Sequence, residues 1–287
     1  VNARIGTEGW RLSDRVRVSG GEVAAGVLGD GPPVVLVHGS PAWSYLWRAV
    51  APALAGQYTV HVWDLLGYGG SRPGPGVAPS IDRQARTLAE LVEHWGLDAP
   101  GARPPVLVGH DIGGAVVLRA HLVHGVPVDR LALLDAAVLD PWLTPFTSHL
   151  REWPEAYRTM PEHVFADIIA PRLRTATRRP MATADADAYL APWTGAAGQR
   201  RWVDQARAVD PGDTRDIAAR LGEVTAPTLV LWGERDGWLP PDTAVRLAAA
   251  IPTARHRMIP DAGHFLPEDA PDATVSALLG FLSGADG

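Results

Sequence analysis

The sequence predicts an α/β fold, a mostly parallel sheet with helices on both faces and a helical cap inserted into it. Three observations carry this. Short β-branched apolar runs alternate with helical patterns from Val34 to about Asp140, joined by brief Gly-containing turns. The rhythm stops after Asp140 and resumes at Ala226. Finally, Gly109-His110-Asp111-Ile112-Gly113 sets an aspartate between glycines where a strand pattern gives way to a helix pattern.

Taken in order, Val16 to Leu28 holds two extended segments around Ser19-Gly20-Gly21, a hairpin signal. Pro32-Pro33 introduces a buried strand, Val34 to Val37, ending at His38-Gly39-Ser40-Pro41. Trp43 to Leu54 reads as a helix, Thr59 to Trp63 as a strand, and Arg72 to Pro79 as a Pro- and Gly-rich loop. Ser80 is the expected N-cap of an amphipathic helix from Ile81 to Trp95, with Ala85, Leu88, Leu91 and Val92 on its apolar face. Val106 to Val108 reads as a strand, the stretch from Ala115 to Leu122 as a helix, and Leu131 to Leu134 as a strand. Residues 141–213 carry Trp142, Trp153, Trp193 and Trp202, several prolines and no strand pattern; they are the expected cap. Residues 1–140 and 214–287 then form one core domain, completed by a strand over Ala226–Trp232, a helix over Asp242–Ala250, a strand over Arg255–Ile259 and a helix from about Ala270. The last residues, from Ser283 to Gly287, are expected to fray.

Composition removes several chemistries. The chain has 287 residues, enough to bury a full core, and is 46% hydrophobic and 20% charged. With no cysteine there is no thiol nucleophile, disulfide or Cys-based metal site. All 26 basic residues are arginine, so no lysine can form a Schiff base with a carbonyl substrate or pyridoxal cofactor. The net charge is −6 with no basic stripe, which argues against a nucleic-acid partner. No apolar run is long enough to span a bilayer and no export signal opens the sequence, so the expected localisation is cytoplasmic, without a membrane partner.

The glycine-flanked aspartate has the form of a nucleophile elbow, in which a sharp turn exposes one side chain and the flanking residues must be small. Serine is usual at this place. A carboxylate such as Asp111 is ionised at neutral pH without a base and can attack a saturated carbon directly, giving an alkyl ester that water can hydrolyse. A serine attacking the same carbon would be trapped as an ether. Asp111 therefore favours substrates with a leaving group on saturated carbon, epoxides or alkyl halides. Hydrolysis of the ester needs a base. His264, in Gly263-His264-Phe265 between a strand and the last helix, follows the nucleophile as the order nucleophile, acid, histidine requires. His38 and His110 lie inside turn motifs and read as turn braces. Asp236, just past a strand end, is the expected acid orienting His264, with Glu234 as an alternative. Backbone N–H groups of Ser40 and Ile112 are the expected oxyanion hole.

His38-Gly-Ser-Pro-Ala-Trp-Ser-Tyr-Leu-Trp-Arg48, Gly109-His-Asp-Ile-Gly-Gly114, Gly233-Glu-Arg-Asp236 and Gly263-His-Phe265 together resemble the α/β-hydrolase superfamily. More narrowly, they resemble its aspartate-nucleophile branch, which contains epoxide hydrolases and haloalkane dehalogenases. The resemblance implies an α/β-hydrolase fold, a cap over the site and no cofactor or metal. It also makes Asp135 a second candidate acid, because some related enzymes place it after that strand. Two positions depart from the dehalogenases: Ile112 stands where Trp usually follows the nucleophile, and Ser40 where Asn or Glu usually follows His-Gly. The arginine that usually follows the nucleophile in fluoroacetate-type dehalogenases is absent too. An epoxide leaves as an alkoxide and needs acidic O–H donors, which cap tyrosines supply; the cap has Tyr157 and Tyr189. Trp142 and Trp193 complete the expected substrate-binding set, suited to a small apolar or aromatic molecule. The expected reaction is epoxide opening to a diol. Haloalkane or haloacid dehalogenation is the alternative, and a hydrolase fold used for binding or a non-hydrolytic rearrangement is the third.

Overall fold

The computed structural model describes residues 9–284; of the tail expected to fray, residues 285–287 lie outside them. The hairpin forms as β1 (Asp14–Val18) and β2 (Gly21–Leu28), paired antiparallel. β3 (Pro33–Val37) follows. The single helix expected over 43–54 is instead a 3-10 turn, Ser44–Trp47, and a short α1 (Val50–Leu54). Pro52 explains the split: a continuous helix would need its N–H for the carbonyl of Arg48, and proline has none. After β4 (Thr59–Trp63), the expected loop contains a two-residue strand, β5 (Arg72–Pro73), on the edge of β2, where proline is tolerated.

The Ser80 hydroxyl accepts from the Arg83 N–H and caps α2 (Ile81–His94) as expected. β6 (Val106–His110), α3 (Ile112–Leu122) and β7 (Arg130–Leu134) come next. Between β7 and the next strand the chain runs only through helices: α4 (Pro145–Glu152), α5 (Pro154–Arg158), α6 (Glu162–Arg174), α7 (Thr183–Leu190), α8 (Gly195–Ala208) and α9 (Gly212–Ala218). The α/β rhythm then returns with β8 (Thr228–Gly233), α10 (Asp242–Ala250), β9 (Ala254–Ile259), α11 (Leu266–Asp269) and α12 (Pro271–Ser283).

The sheet has nine strands in the order β1-β2-β4-β3-β6-β7-β8-β9, with β5 beside β2. All pairings from β4 to β9 are parallel. Side chains of the central strands alternate between two apolar layers, because strand periodicity is two. Val35, Leu107, Leu131 and Leu133 face the layer that holds α2 and α3 residues such as Leu88 and Val116. Val34, Leu36, Val106 and Leu134 face the layer that holds Leu54 of α1 with Leu278 and Phe281 of α12. Both faces are thus covered, as a parallel sheet requires. The strand order reverses between β3 and β6, and the crevice beyond the carboxyl ends of such strands is where ligands bind in open α/β sheets.

Candidate active site

Asp111 follows β6 at that crevice, with φ 52 and ψ −124. An L-residue in this region is strained by about 1–3 kcal/mol, which the surrounding backbone must enforce. The glycines show how. A Cβ at Gly113 would lie 2.4 Å from the Val37 carbonyl oxygen, one at Gly109 2.4 Å from the Gly113 oxygen, and one at Gly39 2.4 Å from Asp111 Cβ. Only glycine lets the three backbones come together. The carboxylate is held by backbone: Ser40 N–H donates to Oδ2 at 2.8 Å, and the adjacent Ile112 N–H also favours its charged form. Burial raises the Asp111 pKa, and these N–H groups and His264 offset only part of that rise.

His264 lies between two carboxylates. Its Nδ1 is 2.9 Å from Asp236 Oδ2, and its Nε2 is 3.7 Å from Asp111 Oδ1 with no hydrogen-bond partner. The Nδ1–H therefore donates to Asp236, leaving the Nε2 lone pair toward the nucleophile. Asp236 is itself fixed, its Oδ1 accepting from the N–H groups of Trp238 and Leu239 at 2.8 and 2.9 Å. Burial lowers the His264 pKa, but Asp236 and then Asp111 outweigh it, and the net shift is upward. The Trp238 ring stacks on the imidazole at 5.0 Å between centroids. His110 Nε2–H donates to the His264 carbonyl at 2.8 Å, and His38 Nε2 accepts from Leu65 N–H at 2.9 Å. Both are turn braces, as expected.

Asp135, at the end of β7, is fully buried and carries a strained φ of 42. Its Oδ1 accepts from Gly233 N–H at 2.9 Å, while Oδ2 has no partner. Oxygens of Asp135 and Asp236 and a nitrogen of His264 lie within 4.8 Å of one another. Burial, then the charge of Asp236, pushes the Asp135 pKa well above the ordinary range. Burial and the neighbouring charge thus both favour the uncharged form of Asp135. Among the described residues this is the one cluster with the donors for a metal ion, and its facing atoms already serve the Asp236–His264 bond. Glu234 has no hydrogen bond to His264; its N–H is bound to the Ile259 carbonyl.

A cavity opens above Asp111 and His264. Trp142 and Trp193 line it, as expected. Their indole N–H groups, however, point elsewhere, Trp142 to Thr214 Oγ1 and Trp193 to the Pro41 carbonyl, both at 2.9 Å. The two tyrosines correct the expectation, since neither lines the cavity. Tyr189 is buried with its hydroxyl on Glu268 Oε2 at 3.0 Å, where Arg48 also binds. Asp185 joins them, so this buried cluster pins α7 to the core. Tyr157 packs under Phe146 with its hydroxyl on His149 Nδ1 at 2.8 Å. In both cases the hydroxyl has a stronger local partner than a cavity would offer. Arg172, Trp238 and Phe146 line the cavity without having been expected there. Only Trp238 left a trace in the sequence, an aromatic two residues after the acid.

Comparison with known proteins agrees with this architecture. The sequence model of the alpha/beta hydrolase fold family matches residues 32–271. The chain is 32% identical over 263 residues to haloalkane dehalogenase 2 of Mycobacterium tuberculosis, covering 88% of each protein. It is 29% identical to a cis-3-alkyl-4-alkyloxetan-2-one decarboxylase of Xanthomonas campestris pv. campestris, covering 88% of this chain and 89% of that one. The crystal structure of an alpha/beta hydrolase fold protein from Burkholderia ambifaria superposes with a TM-score of 0.88 at 34% identity, over 94% of this chain and 98% of the other. The chain belongs to the α/β-hydrolase family, with dehalogenase-like relatives.

Proposed function

We propose that this hydrolase displaces halide from a saturated carbon through a covalent ester on Asp111. In the first step a carboxylate oxygen of Asp111 attacks the carbon, and the carbon–halogen bond breaks with its electron pair leaving as halide. In the second, His264 Nε2 takes a proton from water, and the hydroxide formed attacks Cγ of the ester. Charge developing on the ester carbonyl oxygen meets the N–H groups of Ser40 and Ile112. Collapse expels the alkoxide, which takes the proton back from His264 and leaves as the alcohol; Asp111, left as a carboxylic acid, releases its proton to solvent and is again the carboxylate. Asp236 supports the imidazolium formed in between.

The observation that carries the choice of leaving group is the position of the tyrosines. Tyr157 and Tyr189 are both outside the cavity, so neither presents the acidic O–H that would serve a departing epoxide oxygen. A halide is a weak base and leaves without a proton. The similarity to a haloalkane dehalogenase points the same way. Epoxide opening is the second reading, favoured by Ile112, whose side chain offers no N–H beside the nucleophile. Matched bromides, chlorides and epoxides on one carbon skeleton decide between them. The proposal expects halide release, with epoxides turned over far more slowly. Diol formation without halide release from any halide would reverse the assignment.

A further inference from the structure

Among the described residues that line the cavity over Asp111, Arg172 of α6 is the one arginine. Its surroundings are unlike those of the other deeply placed arginines. Arg48 meets Glu268 through two N–H groups at 2.6 and 2.8 Å and Asp185 at 2.8 Å. Arg119 meets Asp82 at 2.8 Å and Asp216 at 2.6 Å. Arg172 is half-buried, yet it forms no ion pair among the described residues. Its guanidinium carbon lies 4.7 Å from the Phe146 ring centroid and 4.5 Å from that of Trp238. One N–H donates to Thr144 Oγ1 at 2.8 Å, and no other partner is present among the described residues.

Aromatic contacts hold a guanidinium by its faces and leave its in-plane N–H groups free. A partly desolvated cation so held lacks the directly bonded anion that normally accompanies it. We propose that this anion is a carboxylate of the substrate, bound by Arg172 through paired charge-assisted hydrogen bonds. The substrate class is then an organic acid bearing its leaving group on saturated carbon, with an apolar body among Trp142, Leu150, Trp193 and Trp202. Arg172 also offsets the repulsion between such an anion and the Asp111 carboxylate, whose charge in turn supports the cation against the burial that lowers its pKa. This inference rests on the reading of Asp111 as a nucleophile for saturated carbon.

The test is calorimetric binding of 4-phenylbutyrate and of its amide, neither of which can react, to the full chain. The acid is expected to bind about 10- to 100-fold more tightly than the amide, as charge-assisted hydrogen bonding implies. Arg172→Gln is expected to remove that preference while leaving amide affinity unchanged; Arg172→Lys keeps the charge without the fork and should retain part of it. Equal affinities in the parent protein overturn the proposal without reference to any variant, and so does a preference that survives Arg172→Gln. Bromide binding lost in Arg172→Gln, with no acid preference in the parent, also overturns it and makes Arg172 a leaving-group donor. Halide release from matched bromoacids and bromoamides is read in parallel. An acid preference in binding without halide release supports the role of Arg172 and removes only the reaction proposed above.

Discussion

The indole N–H of Trp142 donates to Thr214 Oγ1 at 2.9 Å, so a tryptophan on the cavity wall spends its donor on the start of α9. Trp142 serves the cavity as an apolar surface. Trp142→Phe should therefore leave halide release far closer to the parent rate than the roughly 100- to 1000-fold loss that follows removal of a charge-stabilising donor. The lost hydrogen bond should lower stability by about 1 kcal/mol in chemical denaturation. A large loss of halide release in a folded Trp142→Phe protein would mean that the indole turns toward the leaving group.

Tyr189→Phe tests the opposite expectation. The hydroxyl donates to Glu268 in a buried cluster with Arg48, so its removal should cost stability by about 1.5–3 kcal/mol, the range for a hydrogen bond to a charged group. Turnover of any substrate should persist. Selective loss of epoxide opening with the fold intact would put Tyr189 back in the chemistry.

Asp135 and Asp236 have different partners, Asp236 alone being hydrogen-bonded to His264. Asp135→Asn copies a neutral carboxyl: its amide oxygen can keep the Gly233 N–H and its NH₂ can face Asp236. Ester hydrolysis should change little, whereas Asp236→Asn should slow it strongly and ester formation much less. Stability carries a sign. A carboxyl whose folded-state pKa is raised contributes stability below its unfolded pKa and loses it as pH rises toward the folded value. Asp135→Asn has no such loss, so its melting temperature relative to the parent should climb as pH rises above the ordinary carboxylate value. A difference constant with pH would show that Asp135 ionises as freely in the folded chain as in the unfolded one.

The two chemical steps should have different acid limbs. Ester formation needs ionised Asp111, whose pKa burial lifts above the ordinary 3.8. Ester hydrolysis needs neutral His264, whose pKa burial lowers and Asp236 raises; in the free enzyme Asp111 raises it further, and the net shift is upward. The rate of each step rises with pH through the pKa of its own group. Esterification consumes the Asp111 charge, so the His264 limb should lie lower in the ester than in the free enzyme. Rapid-quench measurement of each step against pH checks this. A His264 limb left unchanged or raised by esterification would contradict it.

Much of this was legible from residue order. Strand-end motifs carry Asp111, Asp236 and His264, and a parallel sheet brings neighbouring strand ends together, so residue order alone points to these three. What was not legible depends on where side chains turn in the inserted helices. Tyr189 and Tyr157 have the chemistry of proton donors, but Glu268 and His149 compete for their hydroxyls from elsewhere in the chain. Arg172 follows Pro171 in an ordinary helical stretch, and only the approach of Phe146 and Trp238 makes it a cavity residue. The split helix at Ser44–Leu54 was readable from Pro52 alone.

The central claim is that a covalent ester forms on Asp111 and that His264 is needed to release it. Intact mass spectrometry of His264→Gln, exposed to a halide substrate of the parent enzyme, tests it most directly. The account predicts a stable gain of the substrate mass less the hydrogen halide, mapped by peptide sequencing to Asp111 and absent in an Asp111→Asn, His264→Gln double variant. An unmodified His264→Gln chain that still releases halide at the parent rate would contradict it and favour direct attack by water.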